Sequence, residues 1–260
     1  MATTIAISGK GGSGKTTVAA MITRLLCSQP ASAKRSGGAG SSGSVLAVDA
    51  DPNSCLGLTL GAEPATTIAQ VREQARTKQP GNSGTDRIRS FEYEIQQAIT
   101  EAAGFDLLTM GRPEGPSCYC AVNNILRQFL DRLSSQYGFV IIDNEAGMEH
   151  LSRRTTNNVD LLCIVAEQTP LGELTAKRIF ALAEQLPISV NRIGIIWNRT
   201  GSFKKLNDIE TFGCIPYDDA VLNAAMQGKT ILDLKENNSA LTAAKKILEQ
   251  KLLEVKVGGF

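Results

Sequence analysis

Aromatic residues are scarce in this 260-residue chain, with one Trp, four Tyr and eight Phe. The core must therefore be built mainly from Leu, Ile, Val and Ala. An excess of charge of either sign is also missing: 27 Lys and Arg against 26 Asp and Glu leave a net charge of +1. That balance provides no electrostatic footprint for nucleic acid. No apolar run approaches the roughly 20 residues that span a bilayer. No signal peptide is expected, because a strand pattern and a glycine loop begin almost at once. Six cysteines are too few in a chain this long for a disulfide scaffold and indicate a reduced, cytoplasmic protein.

What is present begins with Gly9-Lys10-Gly11-Gly12-Ser13-Gly14-Lys15-Thr16-Thr17. The run fits the phosphate-loop pattern G-x-x-x-x-G-K-[ST] and sits between the strand-like run Thr3–Ile7 and a helical pattern with Val18, Ile22, Leu25 and Leu26. Glycines let the backbone approach phosphates without a Cβ clash, and the following helix presents its positive end. Lys15 is expected on the β- and γ-phosphates and the Thr16 hydroxyl on Mg²⁺. Lys10 sits too early in the loop for the same task.

Further strand-like runs recur between helical patterns: Val45–Val48, Leu107–Met110, Phe139–Ile142, Leu161–Val165 and Ile193–Trp197. Their continuous hydrophobicity predicts burial on both faces. The expectation is a single α/β P-loop domain over 1–260, with a mostly parallel central sheet covered by helices on both faces. Val122, Ile125, Leu126, Phe129, Leu130 and Leu133 mark the clearest amphipathic helix. The segments Ala33–Ser44 and Thr77–Thr85 read as surface loops rich in Gly and small polar residues.

Acidic residues follow two of the predicted strands, where ligand groups collect in open α/β sheets. Asp49 and Asp51 lie in Val48-Asp49-Ala50-Asp51-Pro52-Asn53, and Asp143 lies in Ile142-Asp143-Asn144-Glu145-Ala146-Gly147. Asp143 and Asp49 suit Mg²⁺ through water, and Asp51 suits the orientation of an attacking water. Each also fits a helix cap or turn. Asn198, after Trp197, is a candidate for the adenine edge.

The two-lysine loop, the D-A-D-P-N segment and the D-x-x-x-G segment resemble the deviant Walker A ATPases of the MinD, ParA and nitrogenase iron protein class. The resemblance covers most of the chain. It implies ATP and ADP as ligands, a homodimer sandwiching two nucleotides, and Lys10 reaching the partner's phosphates like an arginine finger. Catalytic roles then fall to Lys10, Lys15 and Asp51.

A cysteine pair separates functions within that class. Cys118 and Cys120 lie in Met110-Gly111-Arg112-Pro113-Glu114-Gly115-Pro116-Ser117-Cys118-Tyr119-Cys120-Ala121-Val122-Asn123, just before a helical pattern whose N-terminus would favour thiolates. Two thiolates are too few for a closed site, but a two-fold axis would supply four. Four sulfurs suit Zn²⁺ or square-planar Ni²⁺. A lone C-x-C also fits a structural or redox role. This run and the segment Asp143–Thr156 resemble the CooC family, the nickel-insertion ATPases of carbon monoxide dehydrogenase maturation. The resemblance implies one Ni²⁺ (or Zn²⁺) between subunits, delivered to apo carbon monoxide dehydrogenase or a related nickel enzyme such as acetyl-CoA synthase, without nucleic acid or membrane as partner. The chain departs from that pattern at Ala33–Ser44 and at Ser117. His150 is the only histidine; with Glu145, Glu149, Arg153 and Arg154 it lies in a segment of the kind that reorders with the γ-phosphate.

Two other readings remain at this level. The amphipathic stretch Ser239–Leu253 fits either a membrane-docking helix or a core-packed terminal helix. A dimer of the cysteine pair would also supply four ligands for a [4Fe–4S] cluster.

Overall fold

The structure is a computed structural model that describes residues 2–28, 45–77, 84–112, 131–134, 136–145, 158–185, 188–206 and 208–252. Eight strands form one sheet: β1 Thr3–Gly9, β2 Val45–Ala50, β3 Thr100–Glu101, β4 Phe105–Thr109, β5 Phe139–Asn144, β6 Asn158–Glu167, β7 Ser189–Asn198 and β8 Glu210–Ile215. Their order is β3-β4-β2-β5-β1-β6-β7-β8. Among the described strands only the β3–β4 pair is antiparallel.

The described helices are α1 Lys15–Cys27, α2 Leu56–Leu60, α3 Ile68–Thr77, α4 Gly84–Gln97, α5 Pro170–Ala183, α6 Asp219–Met226 and α7 Ser239–Ile247, and residues 131–134 are also helical. The apolar strands feed two cores, one on each face. Ile5 and Ile7 pack with Val18, Met21 and Ile22 of α1 and with Leu241 and Ile247 of α7. Ala6, one residue out of phase, packs on the other side with Ile68 and Val71 of α3, Ile95 of α4 and Ile179 of α5. Strands buried on both faces need no polar alternation, and this is why the hydrophobic runs mark them. The expected parallel sheet between two helical layers is therefore present.

Some boundaries differ from the expected ones. Thr77 ends α3 and Gly84 begins α4, so the ends of the expected loop Thr77–Thr85 are helical, while 78–83 lie outside the described residues. The buried Phe91 and Ile95 anchor α4, whose first residues, Gly84 and Thr85, extend into a segment that composition alone marked as loop despite their low helix propensity. The Ala33–Ser44 insertion and residues 122–130 of the expected amphipathic helix also lie outside the described residues. The terminal helix is packed inward: Ala240, Leu241, Ala244, Ile247 and Leu248 are buried. Its apolar face is thus used by the core, against the membrane-docking reading. Among the described residues no helix is long and apolar enough to cross a membrane.

Candidate functional site

The parallel register brings the candidate residues to the carboxyl ends of the central strands. β1 ends at Gly9 and runs directly into the phosphate loop. At Gly9 a Cβ would meet the Val165 carbonyl oxygen at 2.3 Å, so glycine is needed for the loop to leave the sheet beside β6. Gly14 takes φ +91° and stands at the start of α1. A Cβ there would meet Asn198 Nδ2 at 2.3 Å.

The first turn of α1 has no side-chain cap and no acidic residue. Its backbone N–H groups and positive dipole end are left for an anion. Lys15 in that turn is buried, and its Nζ donates to the Lys10 carbonyl at 3.3 Å. Lys10, Gly11 and Gly12 are exposed, whereas Ser13 is buried. Thr16 and Thr17 are half-buried. The two lysines of the motif thus point to different tasks: Lys15 is folded into the loop and Lys10 stands in solvent.

Behind the loop, Asp49 of β2 and Asp143 of β5 are register partners, and Ile7 of β1 is the partner of Asp143 on its other side. Both aspartates are fully buried. Neither Asp143 oxygen has a partner at hydrogen-bond geometry, although the Thr16 hydroxyl lies close enough to act on the carboxyl. Burial pushes its carboxyl up to about 7, opposed by the nearby Thr16 hydroxyl and the Lys15 charge. Burial likewise raises Asp49 to about 6, although its oxygens accept from Leu56 N at 2.8 Å and Asp51 N at 3.3 Å. Asp49 therefore caps α2 as a turn aspartate would, while Asp143 has no such structural employment.

A buried, unpaired carboxylate beside a phosphate-loop threonine fits a hydrated divalent cation. Mg²⁺ keeps several waters and takes one or two protein oxygens, so Thr16 would ligate it directly and Asp143 would hold its water. Among the described residues no three His, Cys, Asp or Glu side chains converge on one point, which is consistent with a cation completed by phosphates and water. Asp51 is half-buried, and its Oδ1 accepts from Asn53 N at 2.9 Å and Asn53 Nδ2 at 2.8 Å. It sits at the exposed rim beyond Asp49.

Asn198 is buried at the end of β7, with its Nδ2 donating to the Ser13 carbonyl at 2.8 Å. It borders a cavity of about 410 Å³ lined also by Gly14, Thr17, Pro216, Tyr217 and Leu222. The cavity adjoins the phosphate loop and has apolar walls, as a purine ring requires.

Arg199 is the residue that sequence reasoning missed. It adopts φ +59°, and its Nη1 donates to the Gly12 carbonyl at 3.1 Å and to Glu167 Oε1 at 2.7 Å. Asn144 was also missed: its Nδ2 donates to the Ile7 carbonyl at 3.0 Å and ties β5 to β1 just below the loop. The only sequence signal for either is a polar residue directly after a hydrophobic strand. Cys118, Cys120, Glu149, His150, Arg153 and Arg154 lie outside the described residues, so the proposed metal pair has no described geometry.

No family model matches the sequence. An uncharacterised ATP-binding protein of Methanocaldococcus jannaschii is 37% identical over 260 residues, covering 95% of this chain and 97% of that one. The carbon monoxide dehydrogenase accessory protein CooC of Rhodospirillum rubrum is 31% identical over 267 residues, covering 92% and 95%. Among solved structures, a ParA family ATPase from Chlorobium tepidum has a TM-score of 0.69 at 18% identity, covering 96% of this chain and 100% of that one. The septum site-determining protein MinD of Pyrococcus horikoshii, complexed with Mg-ADP, has a TM-score of 0.64 at 22% identity and full coverage of both chains. With a phosphate loop at the end of β1, paired aspartates behind it and relatives matching along nearly the whole length, the chain belongs to the CooC-related family of ATP-binding proteins and has the fold of the ParA and MinD structures.

Proposed function

We propose that this protein is an ATP-hydrolysing metallochaperone. It dimerises around nucleotide, binds one Ni²⁺ or Zn²⁺ between subunits through Cys118 and Cys120, and assists nickel insertion into carbon monoxide dehydrogenase or a related enzyme. The observation that carries the reading is the C-x-C pair in a chain 31% identical to a carbon monoxide dehydrogenase accessory protein along 92% of its length.

In this reading the loop N–H groups and Lys15 bind the β- and γ-phosphates, and the adenine enters the cavity beside Asn198. Mg²⁺, held through Thr16 with Asp143 and Asp49 behind it, supplies charge neutralisation on the phosphates. Asp51 orients the attacking water for in-line displacement. Exposed Lys10 of each subunit reaches the phosphates of the other and stabilises charge as it develops there. Nucleotide would thereby favour the closed dimer, and the closed dimer the four-sulfur site. Hydrolysis would loosen both.

A MinD- or ParA-like positioning role is the second reading. The buried face of α7 removes its principal sequence support. The deciding measurement is anaerobic metal stoichiometry. About one Ni²⁺ or Zn²⁺ per two chains is expected from four thiolates on a two-fold axis. Undiminished binding in the double variant Cys118→Ala, Cys120→Ala would reject the metallochaperone reading.

A further inference from the structure

β8 ends the sheet. Among the described residues it pairs with β7 alone, and none of them gives its outer row of N–H and C=O groups a ladder partner. Such an edge is a template for another strand unless something covers it.

This edge is not flat. It forms the floor of a groove of about 820 Å³, to which five consecutive residues, Glu210 to Cys214, contribute. Consecutive residues of a strand point to opposite faces, so only a groove running along the strand's edge collects all five. One wall is the loop with Phe203, Lys205 and Leu206, and the other is α7 with Lys246 and Ile247, followed by Lys251. Phe212 is buried in the floor, and the pairing with β7 is interrupted by a bulge at this point. The Thr211 hydroxyl oxygen is shielded from solvent and has no hydrogen-bond partner.

The rim is cationic. Three lysines, Lys205, Lys246 and Lys251, line the groove against a single carboxylate, Glu210. That carboxylate is already taken by Arg192, whose Nε and Nη2 donate to it at 2.8 and 2.6 Å. Lys205 and Lys246 are exposed.

We propose that the open edge of β8 docks an extended, acidic segment of a partner protein, which joins the sheet as an added strand. Main-chain pairing along β8 would supply the affinity, and the lysine walls would select the charge. The groove and the cavity beside Asn198 share Pro216, so a strand seated here lies next to the nucleotide. Strand addition at this edge requires no metal at Cys118 and Cys120.

The chain's own segment 253–260, which lies outside the described residues, is the competing occupant, and the path of the described chain up to Leu252 argues against it. The chain is held at Lys251 beside Glu210, through Arg192 Nη1 to the Lys251 carbonyl at 2.9 Å and Lys251 Nζ to Glu210 at 3.6 Å. Glu210 is where β8 begins, so a following strand would run parallel to β8. The helix before it, α7, packs on the same face as α1. α1 carries the chain from β1 towards β3, whereas α5, on the opposite face, carries it from β6 towards β8. A parallel strand added beyond β8 after α7 would thus close a left-handed crossover, which folds avoid.

The test uses the full chain and a fluorescein-labelled nonapeptide of alternating valine and glutamate, blocked at both ends, with the valine–lysine counterpart as control. Saturable binding of the acidic peptide is expected, with slower hydrogen exchange at the β8 amides that face away from β7. The double variant Lys205→Glu, Lys246→Glu should weaken that binding by about tenfold and gain the basic peptide instead. Failure of the acidic peptide to bind saturably, or equal binding by both peptides, would overturn the proposal. So would slow exchange of those outer amides in the free monomer, because another part of the chain would then already cover the edge.

Discussion

Asp49 and Asp143 stand side by side as register partners on β2 and β5, both fully buried, yet only Asp49 accepts from backbone N–H groups, while the donor near Asp143 is the phosphate-loop Thr16 hydroxyl. The asymmetry separates a carboxylate that holds the α2 turn from one kept for a ligand. Asp143→Asn should therefore stabilise the nucleotide-free protein, by about 1–3 kcal/mol, because it removes a buried charge while keeping the shape. The same change should abolish the Mg²⁺-dependent part of ATP binding. Thermal melts with and without Mg-ATP check both; a lower Tm without nucleotide contradicts the assignment.

The pair also sets a pH dependence. Burial raises Asp49 to about 6 and Asp143 to about 7 from an ordinary 3.8. The folded protein binds more protons than the unfolded chain between these values, so their ionisation destabilises the fold. For these two groups stability is greatest below about pH 4 and falls as pH rises towards 7. A bound cation reverses the preference by favouring the ionised forms. The rise in Tm given by Mg-ATP should thus grow between pH 6 and pH 8, with protons released on binding. Calorimetry in two buffers of different ionisation enthalpy reads that release directly.

The motif's two lysines should separate cleanly by mutation. Lys15 is buried within the loop and Lys10 is exposed. Lys15→Ala should abolish nucleotide binding. Lys10→Ala should keep ATP binding while losing nucleotide-dependent dimerisation and about 100-fold or more in hydrolysis, as for a charge supplied in trans. Equilibrium dialysis, sedimentation and phosphate release distinguish the two; equal loss of binding in both variants would remove the trans role.

The six apolar strands β1, β2, β4, β5, β6 and β7 and the phosphate loop were legible in the sequence because each rests on local chemistry. A strand buried on both faces must be apolar throughout, and the loop must carry glycine where Val165 and Asn198 press against it. β8 was not legible. Glu210-Thr211-Phe212-Gly213-Cys214-Ile215 is short, pairs on one side and contains a bulge, so it shows neither a continuous run nor a clean alternation. Arg199 was hidden for another reason. Its contact with Gly12 spans 187 positions and exists only because β7 ends beside the loop. Only the ends of Thr77–Thr85 differ from the loop expectation: Gly84 and Thr85 read as loop by composition, whereas the buried Phe91 and Ile95 that anchor α4 lie beyond the segment's end.

Gly14 offers a test of how tightly the loop is braced by β7. At φ +91° an alanine is strained, and its Cβ would fall 2.3 Å from Asn198 Nδ2. Gly14→Ala should cost about 1–3 kcal/mol and displace Asn198. Asn198→Ala removes the donor to the Ser13 carbonyl and should cost about 1–2 kcal/mol without strain. The two residues are in contact, so the double variant should be less destabilised than the sum, since the clash disappears with the asparagine. Additive losses in urea unfolding would mean that the loop and β7 are not coupled through this pair.

Asp218 ties the last two helices together, and its removal should act on the wall of the cavity beside Asn198. Its carboxylate caps α6 through Ala220 N at 2.9 Å and accepts from Ser239 Oγ at 2.5 Å at the start of α7. These donors hold its carboxyl below the usual range, the Ser239 hydroxyl contributing most. The stabilisation is present above the unfolded value near 4 and is lost as pH falls through the lower folded value. Asp218→Ala should cost about 1 kcal/mol at neutral pH, the typical worth of a helix cap, and the difference from the unaltered protein should shrink in acid. Because Asp218 and Leu222 line the cavity with Asn198, the variant should also weaken ATP more than inorganic phosphate. Calorimetric titration with each ligand measures that ratio, and equal weakening would place the cavity outside the nucleotide site.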